Sequence, residues 1–225
     1  MTVLKAHNSI LKANGKILVK SGGGGNTVVI GGRSYPTVQI GNQVWLAENL
    51  DLKASGVDIN PAGTPASPAA WYYNRDEATY GENGLKYGLL YNWLAMKLLN
   101  DNRANLFPGW HVPTYQEWME LVNYSGGQNV AGGKLKSRTD WDGTDDFGFN
   151  ALHAGIFDTV MFVGADGSYG VLDLTYFYVY SASSFYICAI SDDMSPNSVL
   201  FNEQSNLSTW GHLCGMSIRL IKDSA

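Results

Sequence analysis

The C-terminal segment, residues 176–223, most constrains what this chain can fold into. Aromatic and β-branched residues fill positions 176–180, and Met216, Ile218 and Leu220 alternate with other residues, so both ends of the segment are typical of β-strands. Between those ends, large apolar side chains lie among Ser, Asn and Asp without a sustained period. Two interpretations are open: an ordinary meander of short strands and turns, which the composition favours, and an adaptable contact surface of aromatic and small polar side chains.

Two helices are marked in the rest of the chain. An apolar stripe predicts a buried helix over residues 84–99. Thr114, followed three residues later by Glu117, forms a capping box that predicts a second helix over residues 114–124. The 26 Gly residues and the 12% aromatic content predict short strands and tight turns elsewhere. The residues therefore predict an α+β domain in which two helices pack against short antiparallel strands.

The first 25 residues predict a module separate from the main domain at 26–225. Asn14-Gly15, flanked by strand-like residues, is a strong hairpin signal, and the glycines at 22–25 are typical of a flexible linker. A lone hairpin is marginally stable in water, so residues 1–20 are expected to pack against the main domain, a second copy in a homo-oligomer, or a larger assembly such as a virion. A poorly ordered arm is the alternative.

Charge is unevenly distributed along the chain. Residues 1–138 carry a net charge of +4, whereas residues 139–218 contain ten acidic residues and no Lys or Arg. This acidic half argues against binding to a nucleic-acid backbone and suits a neutral or cationic partner, or a metal ion. Neither a secretory signal nor an apolar run of membrane-spanning length is visible, which predicts synthesis in a cytoplasm and no membrane insertion.

The residues that could carry enzyme chemistry do not form a recognisable catalytic motif. Cys188 and Cys214 lack metal-ligand spacing, and two unpaired buried thiols are expected, with a bridge between them as the alternative. His111 has no second His, Cys or paired carboxylate near it in sequence, which favours a structural role. No nucleophile elbow, zinc signature or phosphate loop is present, so we expect no enzyme activity.

No cofactor is expected, and calcium is the alternative that the sequence leaves open. Four closely spaced aspartates, Asp140, Asp142, Asp145 and Asp146, are hard-oxygen ligands of the kind that calcium prefers. Asx turns in a glycine-containing loop explain the same residues.

Five motifs give the chain a specific resemblance. They are TVQIGNQVWLAENL (37–50), YGLLYNW (87–93), PGWHVPTYQEWMEL (108–121), GTDDFGFNAL (143–152) and GMSIRLIKD (215–223). In order and approximate spacing they resemble the Fibrobacter succinogenes major paralogous domain, over roughly residues 35–223. The resemblance implies a C-type-lectin-like fold of the formylglycine-generating-enzyme subgroup.

This chain departs from the pattern of that family at one pair of positions. Many members are similar to CPSGWHLP at the middle motif and SVRCVKD at the end, with cysteines placed to bridge. The corresponding positions here are Leu106 or Phe107, and Leu220. The resemblance therefore implies that an apolar contact replaces a disulfide, as expected of a protein folded outside an oxidising compartment.

A subset of proteins with this fold are variable proteins of diversity-generating retroelements, in which reverse transcription rewrites a C-terminal segment. Residues 178–214 occupy the equivalent position, immediately before the motif at 215–223. The resemblance implies a ligand-binding display protein: the receptor-binding protein of a phage, carried on the virion, whose ligand is a host-surface protein or glycan. Eight residues are expected to supply exposed contact groups, although Trp210 is alternatively scaffold: Tyr178, Tyr180, Phe185, Tyr186, Asn202, Asn206, Trp210 and His212.

Two other functions are implied less directly by the resemblance. One is a variable protein of bacterial origin with the same fold, located in the cytoplasm or at the cell surface. The other is a catalytic domain similar to the formylglycine-generating enzymes, which use cysteines near the end of the fold, where Cys188 and Cys214 lie. An acidic surrounding raises a thiol pKa, which disfavours this catalytic role.

Overall fold

The computed structural model describes residues 26–61, 66–73, 85–158, 174–181, 185–191, 197–204 and 214–224, and it gives the backbone of the strands at 11–13 and 16–18. The structure is mostly β, with a curled antiparallel sheet that forms a half-barrel. The prediction of an α+β, C-type-lectin-like fold with two helices and short antiparallel strands was therefore wrong. The physical reason for this error is that segments expected to form a helix, or to lack regular structure, form strands that are buried on both faces.

The described elements fall into several small sheets joined by short helices. The strands are β1 (Leu11–Ala13), β2 (Lys16–Leu18), β3 (Thr27–Ile30), β4 (Arg33–Ile40), β5 (Gln43–Leu46), β6 (Asp58–Ile59), β7 (Ala69–Tyr72), β8 (Leu89–Tyr91), β9 (Trp110–His111), β10 (Phe157–Asp158), β11 (Leu174–Val179), β12 (Phe185–Ser191), β13 (Val199–Gln204), β14 (Cys214–Gly215) and β15 (Ile221–Lys222). The helices are α1 (Leu85–Tyr87), α2 (Trp93–Asp101), α3 (Arg103–Leu106), α4 (Tyr115–Tyr124) and α5 (Ala131–Leu135). The largest described sheet has the order β3-β4-β5-β15-β9, so the end of the chain inserts between the N-terminal strands and β9.

The helix predicted over residues 84–99 is divided into three elements. Gly88 has a φ of 75°, a left-handed conformation that ends α1, and strand β8 follows and pairs with β7. The longer helix, α2, begins only after Asn92, whose side chain accepts a hydrogen bond from the backbone N–H of Ala95 at 2.9 Å. The apolar residues of β8 are fully or almost fully buried, and their unbroken apolar sequence fits the same stripe as α2, which is why the sequence predicts one helix.

The helix predicted over residues 114–124 is confirmed as α4. The backbone N–H of Thr114 donates to Glu117 Oε2 at 2.8 Å, and Thr114 Oγ1 accepts from the Glu117 N–H at 3.4 Å, which completes the capping box. Trp118, Leu121 and Val122 form its buried face. The signal was reliable because the cap and the apolar stripe indicate the same helix.

The segment that lacked a clear period forms a regular antiparallel meander, β11-β12-β13. Phe177 and Cys188 of β11 and β12 pack on one side into a buried cluster that contains Trp45 and Trp118. Tyr178 and its neighbour Ile187 pack on the other side into a second cluster, around Tyr91 and Met216. A strand with two buried faces loses the alternation of apolar and polar residues, which explains the missing period. The described strands therefore form the meander that the composition favours, and the adaptable contact surface stays a prediction.

Two structural expectations outside the meander are also met. Strands β1 and β2 pair antiparallel, with Ala13 opposite Lys16, which confirms the N-terminal hairpin. Phe107 and Leu220 are both fully buried in the same apolar cluster, as expected if packing takes the place of a disulfide there. Among the described helices, none has the length and apolar character needed to span a bilayer.

A buried arginine joins three parts of the domain. Arg219 is fully buried, and its guanidinium donates to Asn49 Oδ1 at 2.6 and 3.0 Å and to the backbone carbonyl of Leu46 at 3.3 Å. Its charged group also lies 4.6 Å from the centre of the Phe149 ring. Burial lowers the pKa of Arg219 to about 9, partly offset by the charges of Glu48 and Asp145. These contacts tie the sheet to the loop that supports the meander.

Candidate ligand-binding surface

The predicted contact residues separate into core, surface and undescribed positions. Tyr178 is fully buried, and its hydroxyl donates to the Cys214 carbonyl at 3.3 Å, so the prediction that it is an exposed contact group was wrong. Tyr180 and Tyr186 are half-buried, and Asn202 is exposed. The side chain of Phe185 and the residues Asn206, Trp210 and His212 lie outside the described residues. Tyr178 is buried because strand β11 is covered on both faces.

Strand β13 is the outer strand of the meander and carries its exposed side chains. Leu200 is 39% exposed, and Asn202 and Glu203 are also exposed. Their neighbours on β12 are far more covered: Ala189, opposite Leu200, is 5% exposed, and Ile187, opposite Asn202, is 8% exposed. The change from core to surface therefore occurs between two adjacent strands.

Three aromatic rings at this edge form a surface that we call the aromatic ledge: Tyr115, Tyr186 and Phe201. The Tyr115 ring lies 5.1 Å from the Phe201 ring at 79° and 6.0 Å from the Tyr186 ring at 44°. Tyr115 is 37% exposed, whereas Tyr186 and Phe201 are half-buried and pack against the cluster that contains Trp118. The aromatic ledge therefore packs against the core through Tyr186 and Phe201, and Tyr115 is its exposed member.

Two backbone contacts fix the position of Tyr115 relative to the meander. Tyr115 is the first residue of α4, directly after the Thr114 cap. The backbone N–H of Tyr180 donates to the Pro113 carbonyl at 2.8 Å, and Thr114 forms a parallel bridge with Tyr180. The end of β11 thus holds the start of α4 beside β12 and β13. Tyr115 was not among the predicted contact residues, because the sequence gives no sign that α4 begins beside the C-terminal segment.

Glu203 gives the aromatic ledge an acidic margin. It lies directly opposite Tyr186 in the pairing of β12 with β13. A hydrogen bond between the Tyr186 hydroxyl and the Glu203 carboxylate raises the pKa of Tyr186, with smaller contributions from burial and from the charge of Glu203. The site therefore combines π-faces with a carboxylate, which suits cations and hydroxyl groups.

Two of the aspartates considered as calcium ligands, Asp140 and Asp145, contact different groups of the protein. Asp140 Oδ1 accepts hydrogen bonds from Lys86 Nζ and from the Tyr87 hydroxyl, the latter at 3.1 Å, and Asp140 Oδ2 lies 3.3 Å from His153 Nδ1. Asp145 Oδ1 accepts from the Asn150 backbone N–H at 2.8 Å. Across the described residues, no three His, Cys, Asp or Glu side chains gather as metal ligands do. Asp140 and Asp145 thus have structural partners of their own.

The two cysteines lie in different clusters and are not joined in a disulfide. Cys188 is fully buried beside Trp118, and Cys214 is fully buried beside Met216. Burial raises the pKa of the Cys188 thiol well above its ordinary value. A thiol that stays protonated and has no access to solvent is a poor nucleophile.

A cavity of about 300 Å³ lies at the end of the large sheet, near His111. Gln43, Glu117 and Lys222 are among the residues that line it. Gln43 Nε2 donates to the Glu117 carbonyl at 2.9 Å, and His111 Nε2 lies 2.8 Å from Glu117 Oε1. Gln43, His111 and Glu117 are therefore engaged with one another, and the carboxylate contacts of His111 were not indicated by its sequence context.

These residues define a mostly β domain with an exposed aromatic and acidic surface at the edge of its C-terminal meander. The chain belongs to the Fibrobacter succinogenes major domain family, whose model matches residues 38–222. The family resemblance drawn from the five motifs is thereby confirmed, and the arm and linker at 1–25 lie outside the match. No curated protein and no solved structure matches the sequence.

Proposed function

We propose that this protein is a ligand-binding display protein that contacts its ligand through the aromatic ledge and the exposed residues of β13. In this proposal it is the variable receptor-binding protein of a phage diversity-generating retroelement, the virion carries it, and the ligand is a host-surface protein or glycan. A bacterial variable protein of the same family, at the cell surface or inside the cell, is the alternative origin.

The observation that carries the proposal is the contrast in burial between β13 and β12. Side chains at Leu200, Asn202 and Glu203 project from a strand whose neighbour is core, so the backbone beneath them is held by packing that they do not supply. Substitution of exposed residues away from caps and packing changes stability by less than about 0.5 kcal/mol. Such positions can vary in sequence while the fold is kept.

The burial pattern narrows the region that can vary. Phe177, Tyr178 and Cys188 lie within the segment 178–214 or directly beside it, and all three are fully buried. Replacing buried side chains of this size costs about 2–5 kcal/mol. Variation should therefore concentrate on β13 and spare β11 and most of β12.

Two matched libraries test the proposal. The first varies Leu200, Asn202 and Glu203, and the control varies three buried positions of the same meander, Phe177, Cys188 and Ile190. Both are displayed, sorted for folding with a conformation-sensitive protease, and then sorted for binding to a panel of purified bacterial surface proteins and glycans. We expect most of the first library to fold and to yield binders, and most of the control library to fail the first sort. Equal failure of the two libraries, or folding of the first without binders, would overturn the display function.

The origin of the variation is tested by the neighbouring DNA. A retroelement requires a near-copy of the 3′ end of the gene, with Asn-rich codons at the varied positions, beside a reverse-transcriptase gene. Codons for Leu200 or Asn202 that coincide with adenines of that copy would support the proposal, whereas Glu203 cannot arise from an Asn codon by mutation of its adenines. Flanking DNA without such a copy would refute the retroelement while leaving ligand binding to the library experiment.

A further inference from the structure

The aromatic ledge is built in a way that favours one kind of chemical group. Tyr115 and Phe201 meet edge to face, so each ring fixes the orientation of the other while Tyr115 stays exposed to solvent. Glu203 is exposed beside Tyr186 on the adjacent strand. Aromatic rings of fixed orientation beside a carboxylate attract a cation through the ring quadrupole and through the negative charge of the carboxylate.

The chain itself supplies no cation to this surface within the described residues. Cationic groups elsewhere in the described structure lie over other aromatic rings, such as Tyr35, Tyr87 and Phe149. Glu203 forms no ion pair with a described Lys, Arg or His, in contrast to Glu48, which pairs with Arg33 at 2.7 Å. Residues 139–218, which include β12 and β13, contain no Lys or Arg at all. The surface is therefore complementary to a positive charge that the described residues do not supply.

We propose, on the basis of the display function above, that the aromatic ledge and Glu203 bind an arginine side chain of a protein partner. Arginine fits better than lysine, because its planar guanidinium stacks on an aromatic face and directs N–H groups at a carboxylate at the same time. Tyr115 supplies the stacking face and Glu203 accepts the hydrogen bonds. The partner is thus a protein with an exposed basic patch.

A pair of small probes isolates this chemistry. N-acetyl-arginine amide and N-acetyl-citrulline amide have nearly the same shape, and only the first is charged. The full chain is titrated with each probe while the NMR signals of its tyrosine rings and backbone are followed. We expect the arginine probe to shift signals of Tyr115, Tyr186 and Glu203 and to bind at least about two- to fivefold more tightly than the citrulline probe.

Two substitutions and a matched control assign the effect to the ledge. Glu203→Gln and Tyr115→Leu are each expected to weaken the arginine probe by about two- to fivefold, to the level of citrulline. Glu120→Gln makes the same charge change at an exposed position on α4, away from the ledge rings, and should leave binding unchanged. Because Glu203 and Glu120 are both exposed, neither substitution should change the melting temperature.

Several results would overturn the arginine site. They are equal binding of the arginine and citrulline probes, shifts that map away from the ledge, and equal effects of Glu203→Gln and Glu120→Gln. Binders selected from the β13 library distinguish this failure from failure of the display function. If binders that retain Glu203 are recovered but none loses affinity when the arginines of its target are replaced by glutamine, the display function stands and the arginine site does not.

Discussion

At the scale of single residues, His111 links the end of the chain to α4 and makes the stability of the domain depend on pH. Its Nδ1 lies 2.6 Å from Asp223 Oδ1, and its Nε2 lies 2.8 Å from Glu117 Oε1. Burial lowers the pKa of His111, but the hydrogen bonds and charges of the two carboxylates together raise it by more, so it lies above the model-peptide value of 6.5. The protonated ring therefore stabilises the fold fully below about pH 6.5, and this contribution is lost as the pH rises through the folded-state pKa.

His111→Gln should remove this pH dependence. Burial raises the pKa of Glu117, but its hydrogen bonds with His111 and Thr114 lower that pKa by more, so between about pH 5.5 and pH 9 His111 titrates and Glu117 stays ionised. We expect the free energy of unfolding to differ between wild type and variant by about 1 kcal/mol more at the acidic end than at the alkaline end. Urea denaturation of both proteins across this range measures the difference. Parallel pH profiles would show that protonation of His111 contributes nothing to stability.

At the scale of elements, Gly88 determines where a strand replaces a helix. Its φ of 75° is strained for any other residue, and an added Cβ would lie 2.7 Å from the Leu50 carbonyl oxygen. Gly32 is the matched control, because its φ of 84° is also positive but its Cβ would meet no atom within 4 Å. Comparing substitutions at the two glycines therefore separates the energetic cost of the left-handed backbone from the cost of the steric contact.

Alanine substitution of these two glycines should have unequal effects. Gly32→Ala is expected to cost about 1–2 kcal/mol, which is the penalty for a left-handed alanine. Gly88→Ala carries the same penalty and in addition forces apart the backbones at Leu50 and β8, so we expect at least about 1 kcal/mol more. Thermal and urea melts of the two variants give the comparison. Equal destabilisation would mean that the contact between Gly88 and Leu50 relaxes freely.

The same elements show what the sequence could and could not predict. The helix α4 was predictable because its cap at Thr114 and its apolar stripe are local signals. Strand β11 was partly predictable from the aromatic and β-branched residues at 176–180. Strands β8 and β12 were not, because burial on both faces removes the alternation by which a strand is recognised and leaves an apolar run that fits a buried helix or no element at all. The error in fold class follows from β8 and β12, the two strands that the sequence did not mark.

The candidate site was only partly predictable for a related reason. Tyr186 and Asn202 were among the predicted contact residues, and both lie at the edge of the meander. Tyr178 lies in β11 and Tyr180 directly follows the end of that strand. The first is fully buried and the second half-buried, and no local pattern distinguishes them. Tyr115 reaches the site through the contact of Pro113 with β11, which is a long-range pairing without a sequence signal.

At the scale of the whole molecule, the chain combines a family domain with an N-terminal module that the family match does not include. The match spans residues 38–222, and the hairpin of β1 and β2 precedes it. An isolated two-stranded hairpin is marginally stable in water, so its persistence requires packing against another surface. We expect that surface to belong to a second copy of the chain or to a larger assembly.

Removal of residues 1–20 is therefore expected to change assembly and not folding. The truncated chain should keep the melting temperature of the full chain to within a few degrees, because the family domain begins only at residue 38. Its mass in solution, measured by light scattering, or its incorporation into the parent particle should fall. Gly15→Val retains the chain length but disfavours the two-residue turn at Asn14-Gly15, and it should reproduce the loss of assembly in weaker form. If the truncated chain unfolds instead, the hairpin packs against the main domain and is part of its core; if both its fold and its assembly are unchanged, residues 1–20 have no attachment role.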